Sequence, residues 1–216
     1  MVVHQRKGNT VQEIIKAADE FGSDLIVVAT HGRYGLERFL FGSTCDALVR
    51  TSPVPVLAVK PSEREIVDDS EISISTIFCP MDFSEFSKST LPHATALAEE
   101  FGAKIILGHV VDARLDYPGW TTLPVIDSTQ RLVDAARANL KDPAGAFEGI
   151  RTEVQIGIGL AHQALVTMVD EHQIDLIVMP THGRKSLAHA LLGSVAEKVA
   201  RMANCPVLTV RPTKNE

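Results

Sequence analysis

No stretch of this chain approaches the roughly 20 consecutive apolar residues that a membrane-spanning helix needs. The opening MVVHQRKGNT lacks the apolar core of a secretory signal. Together these absences predict a cytoplasmic protein without a membrane partner. Excess positive charge is missing too. The formal net charge is −6 at pH 7 and no basic stripe occurs, which argues against nucleic acid as a partner. Cysteine is scarce: Cys45, Cys79 and Cys205 make an odd number without metal-ligand spacing. Each sits among apolar neighbours, so buried free thiols in a reducing compartment are expected. There is no GxxxxGK(S/T) phosphate loop and no Gly-x-Ser-x-Gly elbow. No nucleophile is paired with a base by a sequence signature, so no catalytic residue is assigned.

What the chain does hold is a long internal repeat. Residues 24–61 recur as 175–212 without a gap, at a constant offset (175 − 24 = 151 and 212 − 61 = 151). DLIVVATHGRYGLERFLFGST matches DLIVMPTHGRKSLAHALLGSV, and PVLAVKP matches PVLTVRP. A period this long points to two copies of one domain and not to a solenoid, whose units are shorter. The 216 residues fit one large domain or up to two small ones, and 45% hydrophobic with 22% charged residues is ordinary for a globular protein.

The second copy is the easier to read. Residues 75–80 (STIFCP) form a short β-rich run. From Ser84 to Phe101 apolar residues recur at helical spacing, and Gly102 follows as a stop. Residues 104–111 are a continuous apolar run, as expected of a strand buried on both faces. Residues 126–140 read as a helix, 152–156 as a strand, 161–172 as a helix and 175–179 as a strand. A helix opens near Ser194, and 206–210 is a fifth strand. Strands alternating with helices predict a parallel α/β sheet with right-handed crossovers.

Subtracting the offset from Ser73 gives 73 − 151 = −78, so the front half of the first copy has no counterpart in this chain. The expectation is a tandem protein with an N-terminally truncated first domain. Residues 1–60 would be the C-terminal half of that domain, 61–72 an acidic linker and 73–216 a complete domain. Within 1–60 the alignment predicts a strand at 2–5, a helix at 11–21, a strand at 24–29, a helix at 43–51 and a strand at 55–59.

Thr181, His182, Gly183 and Arg184 follow the fourth strand of the second copy. After nine intervening residues, Gly193 and Ser194 open a helix, and Ser194 with Glu197 has a capping-box pattern. The first copy has Gly32, then Gly42 and Ser43, with Asp46. Glycine lets backbone approach a ligand closely. A helix N-terminus offers N–H groups and a positive dipole end, which suit a phosphate. A turn plus an ordinary N-cap explains any single Gly or Ser here. The whole constellation after a buried strand puts a polyphosphate ligand on an equal footing.

Three features taken together resemble the universal stress protein family. They are Pro80-x-Asp82-Phe83-Ser84-Glu85 at the front, a buried strand ending His109-Val110-Val111, and Thr-His-Gly-Arg-x9-Gly-Ser before a closing PVLxV run. The resemblance covers essentially all of 73–212 and the first copy as well. It implies a Rossmann-like, five-stranded parallel sheet in the order 3-2-1-4-5 with helices on both faces. That order has a switch point between strands 1 and 4, where such folds bind ligands. Members that bind ATP use G-x-x-G-x9-G-(S/T). Gly183, Gly193 and Ser194 match, with Val195 following. The first glycine is replaced by Pro180 in the second copy and Ala29 in the first, and proline has no N–H to offer a phosphate.

The resemblance further places Asp82, after Pro80, beside the ribose and any Mg2+ carried by the phosphates, although Asp82 with Ser84 would equally cap the next helix. It assigns Val110 to adenine reading through its backbone, Met179 to the sugar and base, and Arg184 to phosphate oxygens or solvent. His109 and His182 are expected to be oriented structural histidines. Gly157-x-Gly159 lacks the third glycine of a dinucleotide fingerprint, His162 standing in its place. In the family the fifth strands of two domains pair antiparallel. The matching runs are 55–59 and 206–210, which implies a homodimer or pairing within one chain. Without equivalents of Asp82 and Val110, the first copy is expected to hold no complete site. Three function readings follow. The first is an adenine-nucleotide-binding (ATP, ADP or AMP) stress or energy-state signalling protein. The second is a stress protein without nucleotide that acts through dimerisation. The third is a weak ATPase.

Overall fold

The computed structural model describes residues 2–30, 42–60, 73–112, 125–183 and 192–211. From the first copy come α1 (Thr10–Glu20), β1 (Ile26–Ala29), α2 (Ser43–Thr51) and β2 (Val56–Val59). The second contributes β3 (Thr76–Pro80), α3 (Glu85–Lys88), α4 (Leu91–Phe101), β4 (Lys104–Val111), α5 (Val125–Asn139) and α6 (Lys141–Gly145). It continues with β5 (Thr152–Ile158), α7 (Ala161–Glu171), β6 (Leu176–Pro180), α8 (Ser194–Met202) and β7 (Val207–Val210). The repeat offset holds at the level of elements. Adding 151 to the bounds of α1, α2 and β2 lands on the bounds of α7, α8 and β7.

All the described strands form one sheet in the order β1-β2-β7-β6-β3-β4-β5. Numbered by their own copy, the strands of the second unit stand in the order 3-2-1-4-5, as the family resemblance implies. Every pairing is parallel except β2 with β7. There Val56 faces Thr209, Leu57 faces Leu208 and Ala58 faces Val207. Leu57 and Leu208 are repeat equivalents (57 + 151 = 208), so a local two-fold axis passes between them. The expected pairing of 55–59 with 206–210 is made within the chain, and it covers a sheet edge that would otherwise be open.

Side chains alternate across the sheet with the period of two that a pleated strand imposes. Phe78, Ile106, Ile177 and Val207 face one core layer, which is completed by Leu48, Val49, Leu165, Val199 and Ala200 from the helices. Ile77, Cys79, Ile105, Leu107, Val178 and Leu208 face the other, with Ala94, Ala98 and Leu140. The three cysteines are free and buried. Burial pushes each thiol up to about 12, leaving no thiolate for redox or metal chemistry near neutral pH.

Two expectations fail. Residues 2–5 form no strand. No neighbouring strand is there to take their hydrogen bonds. Instead His4 packs on Phe21 at 4.6 Å between ring centroids, and Arg6 pairs with Glu20. The expected continuous helix from Ser84 to Phe101 is two helices. Pro92 sits in the first turn of α4 and has no N–H to give the carbonyl four residues back, so the chain restarts there. Gly102 does end α4, in the left-handed region at φ 64°, where glycine has no Cβ to clash.

Candidate functional site

β3 and β6 lie side by side but share only the pairs Ile77–Leu176 and Phe78–Ile177. Each ends in proline, Pro80 and Pro180, which the ladder tolerates at a strand terminus. β4 continues on the far side of β3 and β7 on the far side of β6. This is the switch point of the second unit, and a crevice opens at the C-terminal strand ends.

After β3 the chain turns sharply. Phe83 takes a φ of 63°, a conformation that costs a bulky residue on the order of 1–3 kcal/mol. Its ring lies 4.4 Å from that of His109. The His109 Nδ1–H donates to the Met81 carbonyl at 2.6 Å, which fixes the ring at the end of β4. The turn also sets Asp82. One carboxylate oxygen accepts from the backbone N–H and the hydroxyl of Ser84. Ser84 in turn caps α3, accepting from the Ser87 N–H at 3.1 Å. The second Asp82 oxygen lies over Gly183, where a Cβ would stand only 2.7 Å from it. The same carboxylate thus orients the serine that caps α3 and borders the crevice.

After β6, Thr181 Oγ1 meets His182 Nδ1 at 2.8 Å, and both residues are buried. The Gly193 N–H donates to the Thr181 carbonyl at 2.8 Å, closing the long loop onto the strand end. A Cβ at Gly193 would come within 3.3 Å of that carbonyl, so the contact favours the smallest residue. Gly193, with extended backbone, is the N-cap of α8, and no side chain caps the helix. The expected capping box is therefore not formed. Ser194 lies one position inside the helix, where it cannot cap. Glu197 turns away, to Arg201 at 3.0 Å and Arg50 at 3.7 Å. The first residues of α8, Ser194, Val195 and Ala196, line the crevice.

A cavity of about 790 Å³ fills this crevice. Its lining includes Pro80, Asp82, Val110, Met179, Gly183, Gly193, Ser194 and Val195. Eight of the nine residues singled out in the sequence are thereby brought together from four separate segments. The ninth, Arg184, lies outside the described residues, as does Gly32 of the first copy. Sequence reasoning missed Asp112, Leu160, His162, Leu165, Leu192 and Lys198, which also line the cavity. Lys198 follows Ser194 by four residues, one helical turn on, so its spacing could have flagged it. His162 stands in the first turn of α7, and nothing in its own segment signals the site. Desolvation, then the charge of Lys198, hold the His162 imidazole below its ordinary pKa. A second hollow, of about 810 Å³, lies at the opposite strand ends among Ser75, Gly102, Lys104, Gly149 and Arg151, and gathers none of the motif residues.

The first copy repeats part of this construction. The Gly42 N–H donates to the Thr30 carbonyl at 2.7 Å, and Gly42 is the uncapped start of α2. Beyond β1, however, no strand follows among the described residues. Among the described residues nothing stands where β3 and β4 bring Asp82 and Val110 to the second copy.

A family model described as the universal stress protein family matches residues 2–60 and 73–211. A universal stress protein of Methanocaldococcus jannaschii is 32% identical over 157 residues, 71% of this chain and 91% of its own length. One from Mycolicibacterium smegmatis is 27% identical over 209 residues, covering 96% of this chain and 67% of that protein. Among solved structures, a universal stress protein from Archaeoglobus fulgidus superposes with a TM-score of 0.66 at 26% identity. The superposition spans 93% of this chain and 66% of the other.

Proposed function

Because the chain belongs to the universal stress protein family, we propose that its second copy binds an adenine nucleotide and reports stress or energy state through it. The observation that carries this reading is the convergence of the eight motif residues on one cavity at the switch point. A cavity of about 790 Å³ falls within the usual range for small-ligand sites. Gly183 and Gly193 let the two ends of the loop pack tightly against Asp82 and the Thr181 carbonyl, and the glycine-capped start of α8 borders the same space, where a helix N-terminus suits a phosphate. Val110 and Met179 supply the apolar wall that a base requires.

Among the described residues no cluster of three metal-ligating side chains occurs. Any Mg2+ carried by the phosphates would lie beside Asp82 and would supply charge neutralisation there. Pro180 removes one N–H, yet the loop resumes its bonding at the next residue, whose N–H donates to Val210 at 3.0 Å. That limits the loss to one donor. In this reading the protein is cytoplasmic, consistent with three buried free thiols. It is a binding protein whose turnover of ATP, if measured, is slow. The alternative is a stress protein without nucleotide that acts through dimerisation; within this chain the strand edge such pairing would use is taken up by β2 and β7.

The test is adenine nucleotide released from the purified, denatured protein, followed by ATP titration of Gly193→Leu and Gly42→Leu variants. Binding should vanish in the first and persist in the second. Binding retained by Gly193→Leu would place the nucleotide elsewhere.

A further inference from the structure

Lys198 from α8 and His162 from α7 both line the cavity. The repeat provides an internal control for both. Their equivalents in the first copy, at the same offset of 151, are Ala47 and Val11. Val11 packs against the core beneath α1. Both positions are therefore compatible with the fold as small or apolar residues. Only the copy with a cavity carries ionisable groups there.

Elsewhere in the second unit Lys88 pairs with Glu85, Lys104 and Arg151 with Glu153, and Arg201 with Glu197. Among the described residues Lys198 has no ion pair. The groups facing His162 can be counted element by element. Lys198 comes from α8, whereas Glu197 of that helix pairs with Arg201 and reaches Arg50 of α2. His109 comes from β4 with Asp112 just beyond it, Asp82 from the turn after β3, and His182 from the end of β6. β5 contributes none at this end, since its Glu153 pairs with Lys104 and Arg151 at the other.

We propose that His162 and Lys198 act as a pair that couples anion binding to proton uptake, so that the site holds its anionic ligand more tightly as pH falls. This rests on the nucleotide reading for the identity of the ligand, but not for the coupling. The physical cause is the cost of charging a partly desolvated imidazole, to which the charge of Lys198 adds. Without an anion, Lys198 opposes a second positive charge on the imidazole. A phosphate chain placed between them neutralises that field and accepts a hydrogen bond from the imidazolium. The bound state then protonates His162 at higher pH than the free state. By linkage, affinity rises as pH falls through the bound-state pKa, and levels off below the free-state pKa.

Calorimetric titration with ATP and, separately, with tripolyphosphate tests this at about pH 6 and about pH 8. It is run on the full chain and on His162→Gln, His162→Val and Lys198→Ala variants, each first checked for an unchanged melting transition. Tripolyphosphate lacks the base, so it probes the pair without the adenine pocket. The ligand's own protonation is common to all variants and cancels in the comparison. Wild type should gain affinity at the lower pH by several-fold more than either His162 variant, and Lys198→Ala should weaken binding on the order of tenfold. The His162 imidazole carbon shift, followed by NMR, should titrate at higher pH when tripolyphosphate is present. Equal pH dependence in wild type and His162→Gln overturns the proposal while leaving nucleotide binding intact. Tripolyphosphate coupling without ATP preference overturns the nucleotide reading and sustains the pair. Failure of both ligands to bind overturns both.

Discussion

The same four residues, DLIV, lead into β1 and β6, and the two strands end in different surroundings. In β6, Ile177 and Val178 are both 0% exposed. In β1, the equivalent Ile26 is 8% exposed, and Val27 is 62% exposed. The difference is not in the strands. β6 lies between β3 and β7 and is covered by helices on both faces, whereas β1 is the outermost described strand and only one of its faces meets a core layer. Local sequence sets the strand, but its neighbours decide what that strand buries. The same contrast explains the site. Thr181 with Gly193 and Thr30 with Gly42 make the same loop closure, yet only the first pair has β3 and β4 beside it.

Paired substitutions sharpen this contrast, beginning with the largest effect. Val178→Ala removes two methyl groups from a closed core and should cost about 2–3 kcal/mol in chemical denaturation. Val27→Ala at the equivalent position should stay within about 0.5 kcal/mol of wild type, as exposed substitutions do. Similar losses for both would mean that Val27 is covered in solution, and the comparison between the two copies would have to be redrawn.

A smaller effect is expected at the junction of the copies. Thr209 is buried, and its hydroxyl donates to the Val56 carbonyl at 3.1 Å across the β2–β7 pair. The equivalent residue, Ala58, has no hydroxyl to return the bond. Thr209→Val keeps the shape and removes the donor, so it should cost about 1 kcal/mol. Ala58→Thr would add the missing partner, and gains stability only if the local two-fold symmetry extends to the side chains. A stability unchanged by Thr209→Val would show that the hydroxyl bond contributes nothing to docking.

Much of this was legible in the sequence, for reasons that can be traced to particular residues. The offset of 151 carried element bounds from one copy to the other because capping, strand and turn residues recur together. Lys104–Val111 was readable as a doubly buried strand because it is continuously apolar. The eight motif residues were readable from family resemblance, and the cavity gathers them. What stayed hidden depends on tertiary neighbours. Val2 and Val3 resemble strand residues, but a strand needs a partner ladder. Pro92 splits a helix whose apolar spacing runs straight through the break. Ser194 and Glu197 fit a capping box by spacing, while Arg50, from the other copy, draws the glutamate away. His162 and Lys198 carry no motif of their own. They stand out only where the two copies differ, against Val11 and Ala47, a contrast available from the repeat itself.

The weakest expected effect concerns that glutamate. Asp46 and Glu197 are repeat equivalents, as are Arg50 and Arg201. Each acid pairs with the arginine one turn along its own helix, Asp46 with Arg50 at 2.9 Å and Glu197 with Arg201 at 3.0 Å. Symmetry breaks in one contact: Arg50 also reaches Glu197, at 3.7 Å. Glu197 therefore joins the copies, and Asp46 serves its own helix alone. These side chains remain partly exposed, so solvent and salt screen them, and single pairs of this kind contribute about 0.2–1 kcal/mol. Glu197→Gln should lie toward the top of that range and Asp46→Asn nearer 0.3–0.5 kcal/mol, about the value of an isolated helical pair. The gap between them should close in about 1 M salt, where the screening length falls to about 3 Å. Equal losses at low salt would mean that the Arg50–Glu197 contact contributes nothing. The junction would then rest on strand pairing and apolar burial alone, with its two helices contributing charge only to themselves.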